Sequence, residues 1–234
     1  MPGPHAVFFD VGDTLVFDDP PLPRRFAQAA RTAGFVLDDA HLFQAWRQAE
    51  QVGLEAYLDG NDTDDPDVRR RSAAAALAAC GYPPPTDAQW RDLGAAFACV
   101  AFVRVVPPQA LSLLGTLRGR GIRLGVISDW EETLPAVLDE LGLAPYFETV
   151  SVSALVGHCK PDARLFEDAL ARMDVRPAHA LHVGDWLELD VRGAQNVGMP
   201  GLLFDHAQRA PDADCPRVET FAALAAYLEA LTAC

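Results

Sequence analysis

Four segments of this 234-residue chain place acidic, hydroxyl and amine side chains beside short apolar runs. They are FFDVGDTL (Phe8–Leu15), VISD (Val126–Asp129), KPDARLF (Lys160–Phe166) and HVGDWLELDVRGA (His182–Ala194). Phosphoryl transfer requires a nucleophile, together with groups that neutralise charge on the phosphoryl oxygens. A carboxylate is a competent nucleophile for this step. The residue types in the four segments therefore suit transfer of a phosphoryl group to an aspartate.

The third segment contains the only lysine of the chain. The other 18 of the 19 basic residues are arginine, so placement of Lys160 in this segment favours a functional role over a solvated surface lysine. Capping is the competing interpretation for the other polar residues. Asp10 would then close a turn at a strand end, Ser128 would cap a helix, and Asp185 and Asp190 would cap helix N-termini.

Five apolar runs bounded by Gly, Pro or Asp are typical of buried strands. They lie at His5–Asp10, Arg123–Ser128, Glu148–Ser153, Ala180–Asp185 and Pro200–Asp205. Continuous apolar strands suit a parallel sheet that is covered on both faces. Helical patterns separate most of the runs, at Pro108–Arg120, Glu131–Leu141, Ala163–Met173 and Glu188–Asn196. The alternation predicts an α/β fold with a Rossmann-like, doubly wound parallel sheet.

Candidate functional residues coincide with the ends of these strands. Asp10, Ser128 and Asp185 each close a predicted strand, and Lys160 precedes a predicted helix. Ligands of open α/β sheets bind beyond the carboxyl ends of the strands. We therefore expect these four residues to converge, although they come from remote parts of the chain.

A long insertion interrupts the alternation after the first strand. Ser128 follows Asp10 by 118 residues, whereas a strand–helix–strand unit takes about 30. The excess has no strand-like run and predicts four helices, at about Leu22–Ala33, Asp39–Leu58, Pro66–Ala79 and Asp87–Val103. The expected organisation is a core of residues 1–16 and 106–234 with an inserted helical domain of residues 17–105.

Together, in this order, the four segments resemble the motifs of the haloacid dehalogenase superfamily, and the insertion resembles that family's type 1 helical cap. The resemblance covers essentially the whole chain. It implies a Mg²⁺-dependent hydrolase, a phosphatase that acts on a small phosphorylated metabolite through an aspartyl-phosphate intermediate.

The same resemblance implies a role for each matching residue. Asp10 would be the nucleophile. Mg²⁺ would be held by Asp10, the backbone carbonyl of Gly12 and Asp185, with Asp190 as a further or water-mediated ligand. Oxygen ligands of this kind suit Mg²⁺.

Other residues of the segments would contact the substrate. By resemblance, Ser128 would donate a hydrogen bond to a phosphoryl oxygen, and Lys160 would supply positive charge to the nucleophile and the phosphoryl group. Asp129 stands where the family often has asparagine. Trp130 and Trp186 follow the second and fourth motifs directly, and either form an apolar wall for the substrate or pack within the protein.

The chain departs from the family pattern at Gly12. Phosphatases of this superfamily usually carry an aspartate there, two residues after the nucleophile, as general acid for the leaving group. The nearest aspartate is Asp13, and a one-residue shift redirects its side chain, so its role as acid remains open. General acid–base catalysis is worth about 10²–10⁴-fold, and its loss is compatible with a slow phosphatase.

Two further alternatives follow from Gly12. A metal-independent 2-haloacid dehalogenase also lacks the acid, but its fourth motif lacks the pair seen here as Gly184–Asp185. A non-catalytic binding or regulatory protein with the same fold is the other. Phosphonate hydrolases of the superfamily use a cap lysine, and the cap of this chain contains none.

Composition limits the partners. The net charge of −14 argues against nucleic acid and anionic membranes, because both require basic surface. No apolar run approaches the roughly 20 residues of a spanning helix, and the N-terminus does not resemble a signal peptide. Five scattered cysteines favour a reducing cytoplasm over a disulfide framework. Monomer and homodimer both remain open.

Overall fold

The computed structural model describes residues 4–62 and 65–232. The chain forms two compact units, one up to Phe17 and from Arg104 onward, the other Asp18–Val103. These boundaries lie one and two residues from those expected from the sequence. The described cysteines Cys80, Cys99, Cys159 and Cys215 are free thiols. No described helix is both long enough and apolar enough to span a bilayer.

The first unit is built on a parallel sheet. In chain order the strands are β1 (Ala6–Phe9), β2 (Phe17–Asp19), β3 (Val103–Val105), β4 (Arg123–Ser128), β5 (Thr149–Val152), β6 (Ala180–Gly184), β7 (Gly201–Phe204) and β8 (Arg217–Val218). The order in the sheet is β5-β4-β1-β6-β7-β8, and every pairing is parallel. This arrangement confirms the predicted α/β fold class.

Three short strands were not expected. β8 extends the sheet by two residues, and β2 and β3 pair with each other as a separate two-stranded sheet. The expectation that the insertion contains no strand is therefore wrong at its two ends. Runs of two or three residues are too short to show a strand period, and their pairing partners lie far away along the chain.

Helices account for most of the remaining regular structure. They are α1 (Leu22–Thr32), α2 (Asp39–Leu58), α3 (Pro66–Ala79), α4 (Asp87–Ala98), α5 (Pro108–Gly119), α6 (Leu134–Glu140), α7 (Ser153–Val156), α8 (Ala163–Arg172), α9 (Gly193–Asn196) and α10 (Phe221–Thr232). The helix expected to continue to Val103 ends at Ala98. The helix expected from Glu131 begins three residues later, at Leu134.

The two faces of the central strand pack into different apolar clusters. Side chains alternate across a strand, so Val7 and Phe9 join the cluster that contains α5 and α10. Ala6 and Phe8 join the cluster that contains α8. All four residues are completely buried. Burial on both faces explains why β1 is a continuous apolar run.

The second unit has an apolar core of its own. Its helices α1, α2, α3 and α4 bury a set of mainly alanine, leucine and phenylalanine side chains, among them Phe26, Phe35, Leu42, Leu77 and Leu93. A capping box formed by Thr86 and Gln89 starts α4, which satisfies backbone donors that the first turn leaves free.

Candidate active site

The polar residues of the motifs lie at the carboxyl ends of three neighbouring strands. β1 lies between β4 and β6, and Asp10, Ser128 and Asp185 stand at the ends of these strands. These residues are 6%, 1% and 2% exposed, respectively. Parallel strands end at the same edge of a sheet, which is why residues distant in sequence meet here.

Two donors converge on one oxygen of the Asp10 carboxylate. The Ser128 hydroxyl donates to Oδ1 at 3.0 Å, and the Lys160 ammonium donates to the same Oδ1 at 2.7 Å. Lys160 is only 4% exposed, so the interpretation of a solvated surface lysine is wrong. The two bonds fix the orientation of the carboxylate and direct both donors to one side of it.

Lys160 also joins Asp10 to Asp190. Its Nζ donates to Asp190 Oδ1 at 2.6 Å, and the buried His182 places Nε2 3.0 Å from the same oxygen. The backbone N–H of Trp186 donates to Asp190 Oδ2 at 2.9 Å. Asp190 is therefore held from several directions, and it in turn holds the ammonium beside Asp10. The sequence interpretation did not include His182, although the residue lies within the fourth motif.

A π-helix and a glycine allow Asp190 to reach this position. Leu187–Arg192 is a π-helix where the sequence predicts an α-helix from Glu188, and such wide turns occur often at functional sites. A Cβ atom at Gly184 would overlap the Asp190 carboxylate. The Gly–Asp pair of the fourth motif is thus a packing requirement as well as a sequence signal.

Burial and charge shift the pKa values of this group in opposite directions. Burial, opposed by the Lys160 charge, raises the pKa of Asp10 above its ordinary value. Burial would lower the pKa of Lys160, but the Asp10 and Asp190 charges raise it. Burial would likewise raise the pKa of Asp190, but Lys160 and the hydrogen bond from His182 lower it. The ammonium and the Asp190 carboxylate therefore form a buried ion pair beside Asp10.

Asp185 has a different cation, Arg209, which the sequence interpretation missed. Arg209 Nη1 lies 2.5 Å from Asp185 Oδ2, and the Thr14 hydroxyl lies 3.4 Å from Asp185 Oδ1. Burial raises the pKa of Asp185 well above its ordinary value, and the Arg209 charge opposes this rise. Arg209 follows β7 at the same edge of the sheet, and that position after a predicted strand was the available signal.

The carboxylate of Asp13 pairs with Arg209. Its Oδ2 lies 3.4 Å from Arg209 Nη2, and its side chain is half exposed. Asp13 has a φ of 52°, in the left-handed region that favours glycine. Gly12 is not among the described residues with positive φ, and a Cβ there would make an ordinary 3.6 Å contact with the Trp130 ring. The structure does not bring the Asp13 carboxylate into contact with Asp10.

The remaining candidates lie around this group. Asp129 Oδ1 accepts the backbone N–H of Lys160 at 3.0 Å, which fixes the start of the third motif. The backbone N–H of Trp130 donates to Ser153 Oγ at 3.1 Å, and Arg104 lies over the Trp130 ring at 5.1 Å. Arg209 lies over the Trp186 ring at 4.8 Å. Both tryptophans are half-buried.

The carboxylates provide oxygen donors of the type that Mg²⁺ prefers. Asp10, Asp185 and Asp190 are all buried. In addition to burial, the Asp10 and Asp190 charges raise the pKa of Asp185 by repulsion, and the Asp190 charge raises the pKa of Asp10. A divalent cation would relieve this repulsion, so the donor chemistry fits Mg²⁺. In the described residues, however, no three His, Cys, Asp or Glu side chains already converge as a metal site. One oxygen of each carboxylate contacts a protein cation: Lys160 contacts Oδ1 of Asp10 and of Asp190, and Arg209 contacts Oδ2 of Asp185.

Comparisons with known proteins show the family of this chain. A family model described as haloacid dehalogenase-like hydrolase matches residues 4–198. The chain is 34% identical over 204 residues to haloacid dehalogenase-like hydrolase domain-containing protein 3 of Mus musculus, with 83% of this chain and 79% of the mouse protein covered. It is 33% identical over 208 residues to a glyceraldehyde 3-phosphate phosphatase of Methanothermobacter thermautotrophicus, with 86% and 85% covered.

Solved structures show the same fold. A 2-haloacid dehalogenase from Pseudomonas syringae pv. Tomato matches with a TM-score of 0.54 and 26% identity, with 98% of this chain and 99% of that chain covered. The likeness extends over both units of the chain.

Proposed function

Because the chain belongs to the haloacid dehalogenase-like hydrolases, we propose that this hydrolase is a phosphatase that attacks small phosphorylated metabolites with Asp10. The observation that carries the proposal is the convergence of the Ser128 and Lys160 donors on Asp10 Oδ1. With Oδ1 engaged, Oδ2 is the oxygen for attack on phosphorus. The similarity to an archaeal glyceraldehyde 3-phosphate phosphatase supports a phosphorylated metabolite as substrate.

The residues of the site divide the work of the reaction. Attack by Oδ2 would form an aspartyl-phosphate and release the leaving group. The Lys160 ammonium neutralises the approaching phosphoryl charge, and the Ser128 hydroxyl is placed to donate to a phosphoryl oxygen. The Asp10 and Asp190 charges keep the ammonium charged despite its burial, and His182 holds Asp190 in place. Water would then hydrolyse the acyl phosphate and regenerate Asp10.

The proposal includes Mg²⁺ held by Asp10, the Gly12 carbonyl, Asp185 and Asp190. When bound, Mg²⁺ supplies positive charge between the nucleophile and the phosphate, which otherwise repel each other. Among the described residues, the site contains fewer cationic side chains than carboxylates, because only two of them, Lys160 and Arg209, contact the three buried aspartates. A further cation would balance this charge, which supports the assignment of Mg²⁺. The type 1 cap class of residues 17–105, cytoplasmic location and a monomeric or homodimeric state belong to the same proposal on sequence grounds.

Chelation provides a direct test of the metal and of the phosphatase activity. We expect EDTA to abolish phosphate release from a panel of phosphorylated metabolites, triose phosphates included, and Mg²⁺ to restore it. The Asp185→Ala variant should need far more Mg²⁺ for rescue than Asp13→Ala, because only Asp185 is a proposed ligand. Phosphate release is measured at a series of free Mg²⁺ concentrations. Full activity in chelator would contradict the metal-dependent mechanism.

Gly12→Asp tests the missing general acid. A Cβ at this position fits against Trp130, so we expect the variant to fold. Hydrolysis of alkyl phosphates, whose leaving groups need a proton, should rise by up to about 10²–10⁴-fold. Hydrolysis of p-nitrophenyl phosphate should rise much less, since that leaving group departs as an anion.

The control for this experiment is Asp13→Asn. If Asp13 already acts as the acid, Gly12→Asp should change little and Asp13→Asn should slow alkyl phosphates selectively. The pairing of Asp13 with Arg209 argues against Asp13 as the acid, so we expect Gly12→Asp to accelerate the hydrolysis of alkyl phosphates. Equal effects on both classes of leaving group in both variants would refute this account of proton transfer.

A metal-independent 2-haloacid dehalogenase is the second candidate. The similarity to a solved 2-haloacid dehalogenase, the glycine at position 12 and the contact of Arg209 with Asp185 favour it. Chloride release from 2-chloropropionate in the presence of EDTA, without phosphatase activity in Mg²⁺, would establish this function instead.

A further inference from the structure

The loop after β7 holds Arg209 in a defined position. Its backbone N–H donates to Asp205 Oδ1 at 2.6 Å, and the other Asp205 oxygen accepts the Arg217 Nε at 2.7 Å. Asp205 is only 1% exposed. The Arg209 guanidinium lies over the Trp186 ring, with 4.8 Å between its central carbon and the ring centroid. Arg209 is therefore anchored at its backbone and stacked along its side chain.

The Arg209 guanidinium contacts Asp185, a proposed metal ligand. Arg209 Nη1 lies 2.5 Å from Asp185 Oδ2, and the two side chains are 13% and 2% exposed. A second guanidinium nitrogen lies 3.4 Å from Asp13 Oδ2. The contact with Asp185 is short and charge-assisted, a class that includes the strongest hydrogen bonds in proteins, whereas the contact with Asp13 is longer. The arginine thus provides positive charge at Asp185, as Lys160 does at Asp10 and Asp190.

A guanidinium and a divalent cation repel each other at one carboxylate. Their charges have the same sign, and burial strengthens the repulsion by excluding water. Occupation of Asp185 Oδ2 by Arg209 is thus unfavourable for a divalent cation at the same oxygen. The geometry permits release, because Asp13 and Trp186 give the guanidinium contacts that do not depend on Asp185.

We infer that Arg209 is a resident counter-ion of Asp185 that competes with the divalent cation for this carboxylate and so sets the metal affinity. This inference rests on the metal site of the proposed function. Arg209 acts as a positioning residue here: it keeps Asp185 neutralised before metal arrives and withdraws when metal binds. The apparent dissociation constant for Mg²⁺ then equals the intrinsic dissociation constant divided by the fraction of protein in which Arg209 does not occupy Asp185.

Isothermal titration of the whole protein with Mg²⁺ at pH 8 tests the inference. If the arginine-bound state is about 90% populated, Arg209→Gln should bind Mg²⁺ about tenfold more tightly than the wild type. Arg172→Gln is the matched control. It removes the same charge from Arg172, a 51% exposed side chain that pairs with Asp168 four residues earlier on α8, and it should bind Mg²⁺ as the wild type does.

Unchanged or weaker Mg²⁺ binding by Arg209→Gln would overturn the inference, as would absence of Mg²⁺ binding in both proteins. If Arg209→Gln fails to fold, Arg209→Lys keeps the test open. Lysine retains the charge but cannot contact Asp185 and Asp13 through two separate nitrogens. The Mg²⁺ affinity of Arg209→Lys should therefore exceed that of the wild type. Wild-type phosphatase activity is measured separately. Inactivity together with tighter Mg²⁺ binding by Arg209→Gln would refute the proposed function and leave this inference intact.

Discussion

Asp10→Asn should lose turnover by about 10⁴-fold or more, the scale expected when a nucleophile is removed, while the protein remains folded. The substitution removes the attacking oxygen and keeps an oxygen that can accept from Ser128 and Lys160. Phosphate release measured with Mg²⁺ and a good substrate gives the activity. Asp139→Asn, an exposed acid on α6, is the control and should retain wild-type activity.

The stability of Asp10→Asn should not fall with its activity. The pKa of Asp10 is raised in the folded protein, so above that pKa the ionised carboxylate destabilises the fold relative to the unfolded chain. The neutral amide removes this cost, and Lys160 keeps its contact with Asp190. We therefore expect a melting temperature equal to or above that of the wild type at neutral pH. A variant that is both inactive and unfolded would leave the role of Asp10 as nucleophile without support.

Lys160→Met should have the opposite effect on stability. Two buried carboxylates, Asp10 and Asp190, lose their shared cation. Breaking a buried pair in this way costs about 3–5 kcal/mol, which lowers the melting temperature of a protein of this size by roughly 10 °C. Turnover should also fall, by about 10²-fold or more. Arg164→Met is the control, because that side chain is 61% exposed.

The pH dependence of this loss has a definite sign. Lys160 helps to lower the pKa of Asp190. A carboxyl group with a lowered pKa stabilises the fold at pH values above its pKa in the unfolded chain. This stabilisation is lost as the pH falls through the pKa in the folded protein. The melting temperature of the wild type should therefore exceed that of Lys160→Met most at neutral pH. This difference in melting temperature should shrink as the carboxylates take up protons. Thermal melts between pH 2 and pH 7 measure this, because the pKa of Asp190 lies below its ordinary value of 3.8. A constant difference over that range would contradict the proposed ion pair.

Local pattern was sufficient for the elements that present the site. The apolar runs that became β1, β4 and β6 are buried on both faces, and burial on both faces leaves a continuous hydrophobic run in the sequence. The polar residues that end them were therefore visible as interruptions. The helices of the insertion were predictable for a similar reason: α2 and α3 have the predicted bounds, set by turn residues that act locally.

Lys160 shows where the sequence prediction reached its limit. Its position in a motif and its uniqueness as a lysine were evident from the chain alone. That it joins Asp10 to Asp190 depends on a π-helix and on the space left by Gly184. Neither has a sequence period of its own, because each arises from how the segment after β6 packs.

Composition and motif order thus determined the fold class and the family of this protein, since both depend on residues adjacent in sequence. The pairing of each buried charge was decided only by the tertiary structure. Arg209 meets Asp185 across 24 residues and Asp13 across 196, and no local pattern links them. Electrostatic contacts act through space, so the partner of a buried carboxylate is known only when the chain has folded around it.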